Sequence, residues 1–328
     1  MNEKEFLAKW SVEKSLHEAW AQFIKNKIEL SIKQFRSTSD ADSFIKIPAI
    51  PRLKTNDSLL GKAFNRNKNY ADPYLQIEDK VGVRFVVLLA SQIQELQKII
   101  ENCPDWEHSL DKDFEADQKN RPLEFTYQSI HYVLKAKQDI EVGGIVVAKG
   151  TPCEVQLRTL LQHAHSELTH DNIYKVQEGT VVTSKVHRTI AKSMALIETV
   201  DDFFAQAVEE LKKSTEPERN ALRDLTQLYA KHIGVEPGSD KSNAIILQKF
   251  RGKLGAGLVA RVEALLTAKP FITDQIKKTS AISHSFRQPW ILFAYLLVDS
   301  EPIQTNRNWP LTPDEIQPVY VKLGKRMT

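Results

Sequence analysis

The chain has 328 residues, 41% hydrophobic and 27% charged, with a net charge of +3, a globular composition with length for about two domains and too little charge to mark a nucleic-acid binder. Its two cysteines, Cys103 and Cys153, are far apart without metal-ligand spacing, which argues for a reducing cytosol and against a disulfide framework or zinc site. The acidic start Met1-Asn2-Glu3-Lys4-Glu5-Phe6 argues against a signal peptide, and no apolar run of the ~18 residues that a membrane span needs occurs.

Residues 3–36 read as a helix, with Phe6, Trp10, Leu16, Trp20, Phe23, Ile24 and Ile28 near helical spacing. The stretch from Ser43 to Lys54 carries Pro48 and Pro51, so it reads as an edge strand or extended entry segment that ends in Arg52 and Lys54. A helix is expected over 57–67, capped by Asn56 or Asp57, with Ser58 and Lys62 on one face near its N-terminus, a good setting for phosphate. A short helix opens at Pro73, an apolar central strand follows over 81–89, and a helix over 92–100. Residues 106–114 read as a strand, with Asp111, Asp113, Glu115 and Asp117 as a solvated rim. Strands are expected over 127–134, 142–147 and 153–159, with Gly143-Gly144 as a bulge or tight turn, then a helix over 160–174. From about Thr180 the pattern is helical: one long amphipathic segment over 182–211, a break at Pro217, then four or five helices, with 290–298 apolar all round.

The polar positions of the strands are the informative ones. Strand side chains alternate, so Glu154, Gln156 and Arg158 share one face, opposite Val155 and Leu157. Tyr127, Ser129 and His131 likewise share a face, and Asp79 stands at the entrance of the apolar strand. Three strands that present acid, base and aromatic groups argue for one pocket at the surface of a sheet.

Taken together, Arg52-x-Lys54-x3-Ser58-x3-Lys62, Asp79-x4-Arg84, Tyr127-Gln128-Ser129-x-His131 and Glu154-Val155-Gln156-Leu157-Arg158-Thr159 resemble the RelA/SpoT-type (p)ppGpp synthetases over roughly residues 40–175. The resemblance implies an α/β (α+β) fold, nucleotidyltransferase-like, with a mixed five-stranded sheet flanked by helices. The element pattern then divides the chain into an N-terminal helix (1–40), a synthetase domain (41–178) and an all-α region (179–328). The implied reaction is transfer of the β,γ-pyrophosphate of ATP to the ribose 3′-hydroxyl of GDP or GTP. By resemblance, Arg52, Lys54, Ser58, Lys62 and Arg84 bind ATP, and Tyr127, Ser129, His131, Gln156 and Arg158 meet the acceptor. The same resemblance implies that Asp79 and Glu154 are catalytic, with Asp79 on Mg²⁺ and Glu154 either on Mg²⁺ or deprotonating the attacking hydroxyl. Arg158 has a second reading, in which it pairs with an acid and braces Glu154.

The family pattern makes His163, His165, Glu167 and His170 scaffold rather than a metal site, and His170-Asp171 stands alone, so synthesis without alarmone hydrolysis is expected. Two stretches depart from the family: Pro122 to Thr126 precedes Tyr127 where a basic residue and a glycine are usual, and Ser91-Gln92 stands where a second adenine-binding arginine is expected. They keep two alternatives open. One is a toxin-like pyrophosphokinase that acts on the tRNA 3′ end or on adenine nucleotides, with Lys185, Arg188, Lys192, Lys212 and Lys213 as tRNA contacts. The other is a silent sensor that binds a partner. A cytoplasmic protein with no membrane contact is expected, and a homo-oligomer is compatible with the resemblance.

Overall fold

The computed structural model describes every residue except 37, 66–69, 121–123, 126–128, 170–182 and 328, and among helical residues the side chains of 35, 38, 39, 117 and 118 are also left aside. The chain forms two compact units, Met1–Ala207 and Val208–Thr328, a boundary later than the one expected at 178/179. No helix among the described residues is long and apolar enough to cross a membrane.

The first unit opens with α1 (Glu3–Phe35) and α2 (Thr38–Asp42), then β1 (Arg52–Leu53) and α3 (Asn56–Leu60), which runs into a π-helical turn at Gly61–Asn65. Next come α4 (Pro73–Gln76), β2 (Val81–Val87), α5 (Ala90–Glu101), β3 (Trp106–Lys112) and α6 (Phe114–Asn120). The unit continues through β4 (Ile130–Ala136), β5 (Ile140–Val142), β6 (Ile145–Val147), β7 (Pro152–Thr159), α7 (Leu160–Thr169) and the start of α8 (Ser184–Ser214). Five strands make one mixed sheet in the order β1-β2-β7-β4-β3, in which only β2 and β7 are parallel neighbours. The centre of the sheet is therefore β7, not the apolar β2.

Alternation divides the sheet into a dry and a wet face. Val81, Val83, Phe85, Val87, Val155, Leu157, Ile130 and Leu134 join Trp20, Ile24 and Ile28 of α1 and Ile93, Leu96 and Ile100 of α5 in one core. Trp20 is fully buried there and donates Nε1–H to Leu134 O at 3.2 Å, which satisfies its polar edge. The intervening residues of β2, β4 and β7 point to the opposite face and carry the chemistry. The other end of α1 packs Phe6 and Trp10 against Leu59, Ala63, Tyr74 and Ile77, so one helix supports both the sheet and the segment that bears Lys54, Ser58 and Lys62.

Several local expectations are corrected. The cap of α3 is Thr55, whose Oγ1 accepts from Ser58 N at 3.3 Å, not Asn56 or Asp57. The expected strand over 142–147 is a hairpin, because Gly143 and Gly144 take φ of +58° and +80°, a turn of the kind that matches strand twist. The acidic stretch after β3 is helical: Asp113 Oδ1 accepts from Glu115 N at 2.9 Å and starts α6.

The second unit is helical throughout its described secondary structure: α9 (Glu216–Ile233), α10 (Lys241–Lys249), a 3₁₀ turn, α11 (Leu258–Ala268), α12 (Phe271–Ser280), α13 (His284–Arg287), α14 (Trp290–Ser300), α15 (Pro302–Asn308) and α16 (Pro313–Leu323). There are more helices than periodicity suggested, because Pro270, Pro289, Pro302 and Pro313 stand at helix starts as well as marking breaks. α14 is buried on all sides and forms the centre of this unit's core, as its sequence implied.

Candidate active site

A cleft of about 520 Å³ opens on the wet face of the sheet. Arg52, Lys54, Ser58, Asp79, Arg84, Glu154 and Gln156 line it, together with Thr55, Gly82 and His163. Strand register explains the convergence. β1 pairs Arg52 with Gly82, and the parallel β2–β7 pair sets Gly82 beside Glu154 and Arg84 beside Gln156. Lys54 N donates to Lys80 O at 2.9 Å, which fixes the Lys54 backbone next to Asp79.

Asp79 is the electrostatic hub of one end. Its Oδ2 accepts from Lys54 Nζ and from Lys62 Nζ, the latter at 2.6 Å. Burial works to raise the Asp79 carboxyl, but the two ammonium groups outweigh it and hold it below its ordinary value. Lys54 shows the opposite balance: its own burial lowers it in spite of the carboxylate, because it shares that carboxylate with Lys62. The segment before Asp79 is held by Lys80, a 2%-exposed side chain whose Nζ donates to Tyr74 O at 2.8 Å and Ile77 O at 2.6 Å.

Glu154 is the hub of the other end. Its Oε1 lies 3.2 Å from His131 Nδ1, and its Oε2 accepts from Gln156 Nε2 at 2.8 Å. Burial favours the neutral acid here too, but His131 and Gln156 overcome it and keep Glu154 below its ordinary value, so the group is ionised at neutral pH. Gly82 keeps the neighbouring strand close: a β-carbon there would sit 3.4 Å from Glu154 O and 3.6 Å from Glu154 Oε2, in ordinary contact, and a longer side chain would meet the carboxylate.

Arg84 reaches across to α7. Its Nη1 donates to Glu167 Oε1 at 2.7 Å and lies 3.3 Å from His163 Nδ1, while Nε donates to Gln156 Oε1 at 3.3 Å. Burial and the adjacent guanidinium of Arg84 lower His163.

Two residues assigned to the acceptor are set beneath the cleft rather than on its surface. Ser129 is fully buried and Arg158 is 3% exposed. Arg158 donates to Ser129 Oγ at 3.1 Å, Ser166 Oγ at 2.8 Å and Gln156 Oε1 at 2.8 Å, and burial followed by the nearby Arg84 pushes it down to about 9. The bracing reading of Arg158 fits this geometry, with Gln156 as the group that passes its support to Glu154. Tyr127, most of the stretch before it, and His170 lie outside the described residues. Gln92 is engaged at its own helix end, where Oε1 accepts from Leu88 N and Leu89 N.

Thr55, Gly82 and His163 line the cleft but were not read as site residues from the sequence. Thr55 carried a signal, a hydroxyl residue at cap spacing from Ser58. Gly82 carried one too, since glycine inside a strand marks a close approach. His163 carried none beyond its spacing to Glu167, because the contact with Arg84 is tertiary. Among the described residues no group of three His, Cys, Asp or Glu side chains is arranged to hold a metal.

Comparison with known proteins gives the context. Residues 51–179 match the model of the region found in RelA / SpoT proteins. No curated protein matches the chain. The fold is similar to that of small alarmone synthetase 1 from Bacillus subtilis, at 20% identity and a TM-score of 0.50, over 62% of this chain and 98% of that one. The same Bacillus subtilis protein bound to its product pppGpp matches at 20% identity and a TM-score of 0.51, again over 62% of this chain and 98% of that one. At such identity the likeness is one of fold. Every described residue of the cleft from Arg52 to His163 falls inside the stretch, residues 51–179, that matches this family model.

Proposed function

We propose that the chain is an ATP-dependent pyrophosphokinase that makes a (p)ppGpp-type alarmone from GDP or GTP. The observation that carries the reading is the joining, in one cleft of the stretch that matches the RelA / SpoT region, of a lysine–serine segment suited to phosphates with two ionised carboxylates. The 3′-oxygen of the acceptor ribose bonds to the β-phosphorus of ATP, the bond from that phosphorus to the α,β-bridging oxygen breaks, and AMP leaves. Lys54 and Lys62, which share Asp79 in the free protein, turn to the triphosphate and offset its charge. Ser58 and the N-terminus of the capped turn add donors, and exposed Arg52 at the cleft edge offers a plane to the adenine. Glu154, ionised and held by His131 and Gln156, takes the proton from the 3′-hydroxyl.

The donor set also suits magnesium. Asp79 Oδ1 has no hydrogen-bond partner among the described residues, and Glu154 lines the same cleft. Mg²⁺ is commonly bound by one or two carboxylates plus substrate phosphates, which is what this cleft can offer. Asp79 and Glu154 would hold it, and it would supply further neutralisation of the triphosphate.

The test is a transfer assay with γ-labelled ATP and Mg²⁺, in which GDP, GTP, adenine nucleotides and deacylated tRNA are offered separately. Label on a guanine nucleotide, lost by about 10²–10⁴-fold in Glu154→Gln, is the expected result. Label on tRNA or adenine nucleotides alone would replace the acceptor in this reading, and no label on any acceptor would overturn the enzyme reading.

A further inference from the structure

The two ends of the cleft differ in chemistry. Asp79, Lys54 and Ser58 gather at the entrance of β2, the charged end suited to a triphosphate. Towards the far end of β2, Val86 lies beside Ile47, and these two side chains with Pro48 make an apolar wall. His163 of α7 joins the lining there, next to Arg84. An apolar wall with a few placed polar groups is the usual setting for an organic ring.

The hydrogen bonds around His163 fix which of its nitrogens carries a proton. Arg84 Nη1 lies 3.3 Å from Nδ1, and a guanidinium only donates, so Nδ1 accepts. The neutral ring therefore carries its hydrogen on Nε2. Burial and Arg84 lower the His163 ring, with Arg158 adding to them against the pull of Glu167, which agrees with a neutral imidazole at pH 7. Arg84 is itself held by Glu167, whose Oε1 accepts from the same Nη1 at 2.7 Å. The His163 side chain is 16% exposed, and Nε2 is open to solvent with no partner among the described residues. The apolar end of the cleft thus holds one directed, neutral donor that the protein leaves unused.

We propose that His163 is a specificity-determining residue of the ATP site, which donates from Nε2 to a ring nitrogen of the adenine seated at the apolar end of the cleft. The inference rests on the ATP reading given above and adds the group that reads the base. Adenine presents N1, N3 and N7 as acceptors, and a neutral N–H matches any one of them without bringing charge to an apolar wall. The plane of Arg52 suits any flat base, whereas a directed hydrogen bond selects one that has an acceptor in the right place. Arg84 and Glu167 act one step back, because they keep His163 in the tautomer that can donate.

Calorimetric titration of ATP and of its 1-, 3- and 7-deaza analogues into the full chain, with Mg²⁺ and no acceptor, measures binding apart from transfer. The analogue that lacks the accepted nitrogen should bind the wild type about three- to tenfold more weakly than ATP. His163→Phe keeps a flat ring without a donor. It should weaken ATP by a similar factor and no longer distinguish ATP from that analogue. His163→Gln returns an N–H close to the Nε2 position and should restore part of the discrimination. A scaffold role would not give this pattern, since a disturbed cleft weakens all the ligands alike. If His163→Phe does not fold, His163→Ala takes its place. A wild type that binds all three analogues as it binds ATP, or a folded Phe or Ala variant that keeps the wild-type discrimination, would overturn the assignment and leave the ATP site standing. A wild type that binds no ATP would overturn the ATP reading and the assignment with it.

Discussion

Gln156 donates from Nε2 to Glu154 Oε2 at 2.8 Å. Its carbonyl end accepts from Arg158 Nη2 at 2.8 Å and from Arg84 Nε at 3.3 Å, so the amide cannot turn over without losing both guanidinium donors. Arg158 is thereby a support for the carboxylate at one remove. Gln156→Met keeps volume and removes both ends of the link. Turnover should fall by about 10–100-fold through loss of orientation, with the KM for ATP little changed. A variant with wild-type kcat would show that Glu154 needs no such support. The melting temperature should also drop, because Arg158 keeps a buried charge with one acceptor fewer.

Lys62 and Lys54 compete for a single oxygen of Asp79. If both turn to ATP, loss of one removes a phosphate contact without touching the acceptor. Lys62→Met is expected to raise the KM for ATP by about tenfold or more, since charge-assisted contacts to phosphate are among the strong ones. The KM for the guanine nucleotide should move far less. Equal effects on the two substrates in an initial-rate study would count against a role for Lys62 in ATP binding.

The strand faces were legible because alternation is a local rule: Glu154 and Gln156 could be put on one side, and Val155 and Leu157 on the other, without knowledge of the fold. What was not legible is which strand lies next to which. The parallel register that sets Gly82 beside Glu154, and the reach of Arg84 to His163 and Glu167, are tertiary facts. The same gap explains Ser129 and Arg158. Face alternation places them with the polar set, but α7, through Ser166, covers that end of β7 and turns a surface position into an interior one. The hairpin at Gly143-Gly144 and the four prolines at helix starts were visible in composition, yet each admits two structural meanings until its neighbours are known.

Asp240 caps α10 in the helical unit. Its Oδ1 accepts from Ser242 N at 2.7 Å, and its Oδ2 lies 2.5 Å from His284 Nε2. Burial opposes ionisation, but the Ser242 bonds and His284 prevail and hold the carboxyl below its ordinary 3.8. The folded-state value is therefore the lower one, so the stability it gives is present above pH ~3.8 and is lost as pH falls through the folded value. Asp240→Ala should cost about 0.5–2 kcal/mol at pH 7, the usual range for a cap. In urea unfolding followed by the helical signal, the gap between wild type and variant should narrow towards pH 3. A gap that stays constant with pH would assign the loss to the change in side chain rather than to its charge.

Gly82 offers the sharpest test of the cleft geometry, because it separates volume from chemistry. A single β-carbon there meets Glu154 Oε2 at 3.6 Å and Glu154 O at 3.4 Å, which is ordinary contact, so Gly82→Ala should fold and retain much of the activity. Alanine also costs less backbone entropy than glycine inside a strand, which favours stability. A leucine extends well beyond that contact and must occupy the space next to the Glu154 carboxylate. It would push the carboxylate from Gln156 and His131, so Gly82→Leu should lose activity by about 10²-fold or more even where the sheet still forms. Circular dichroism would report the fold and the labelled-ATP assay the transfer. Full activity in a folded Gly82→Leu would mean that the reacting groups meet elsewhere than beside Glu154.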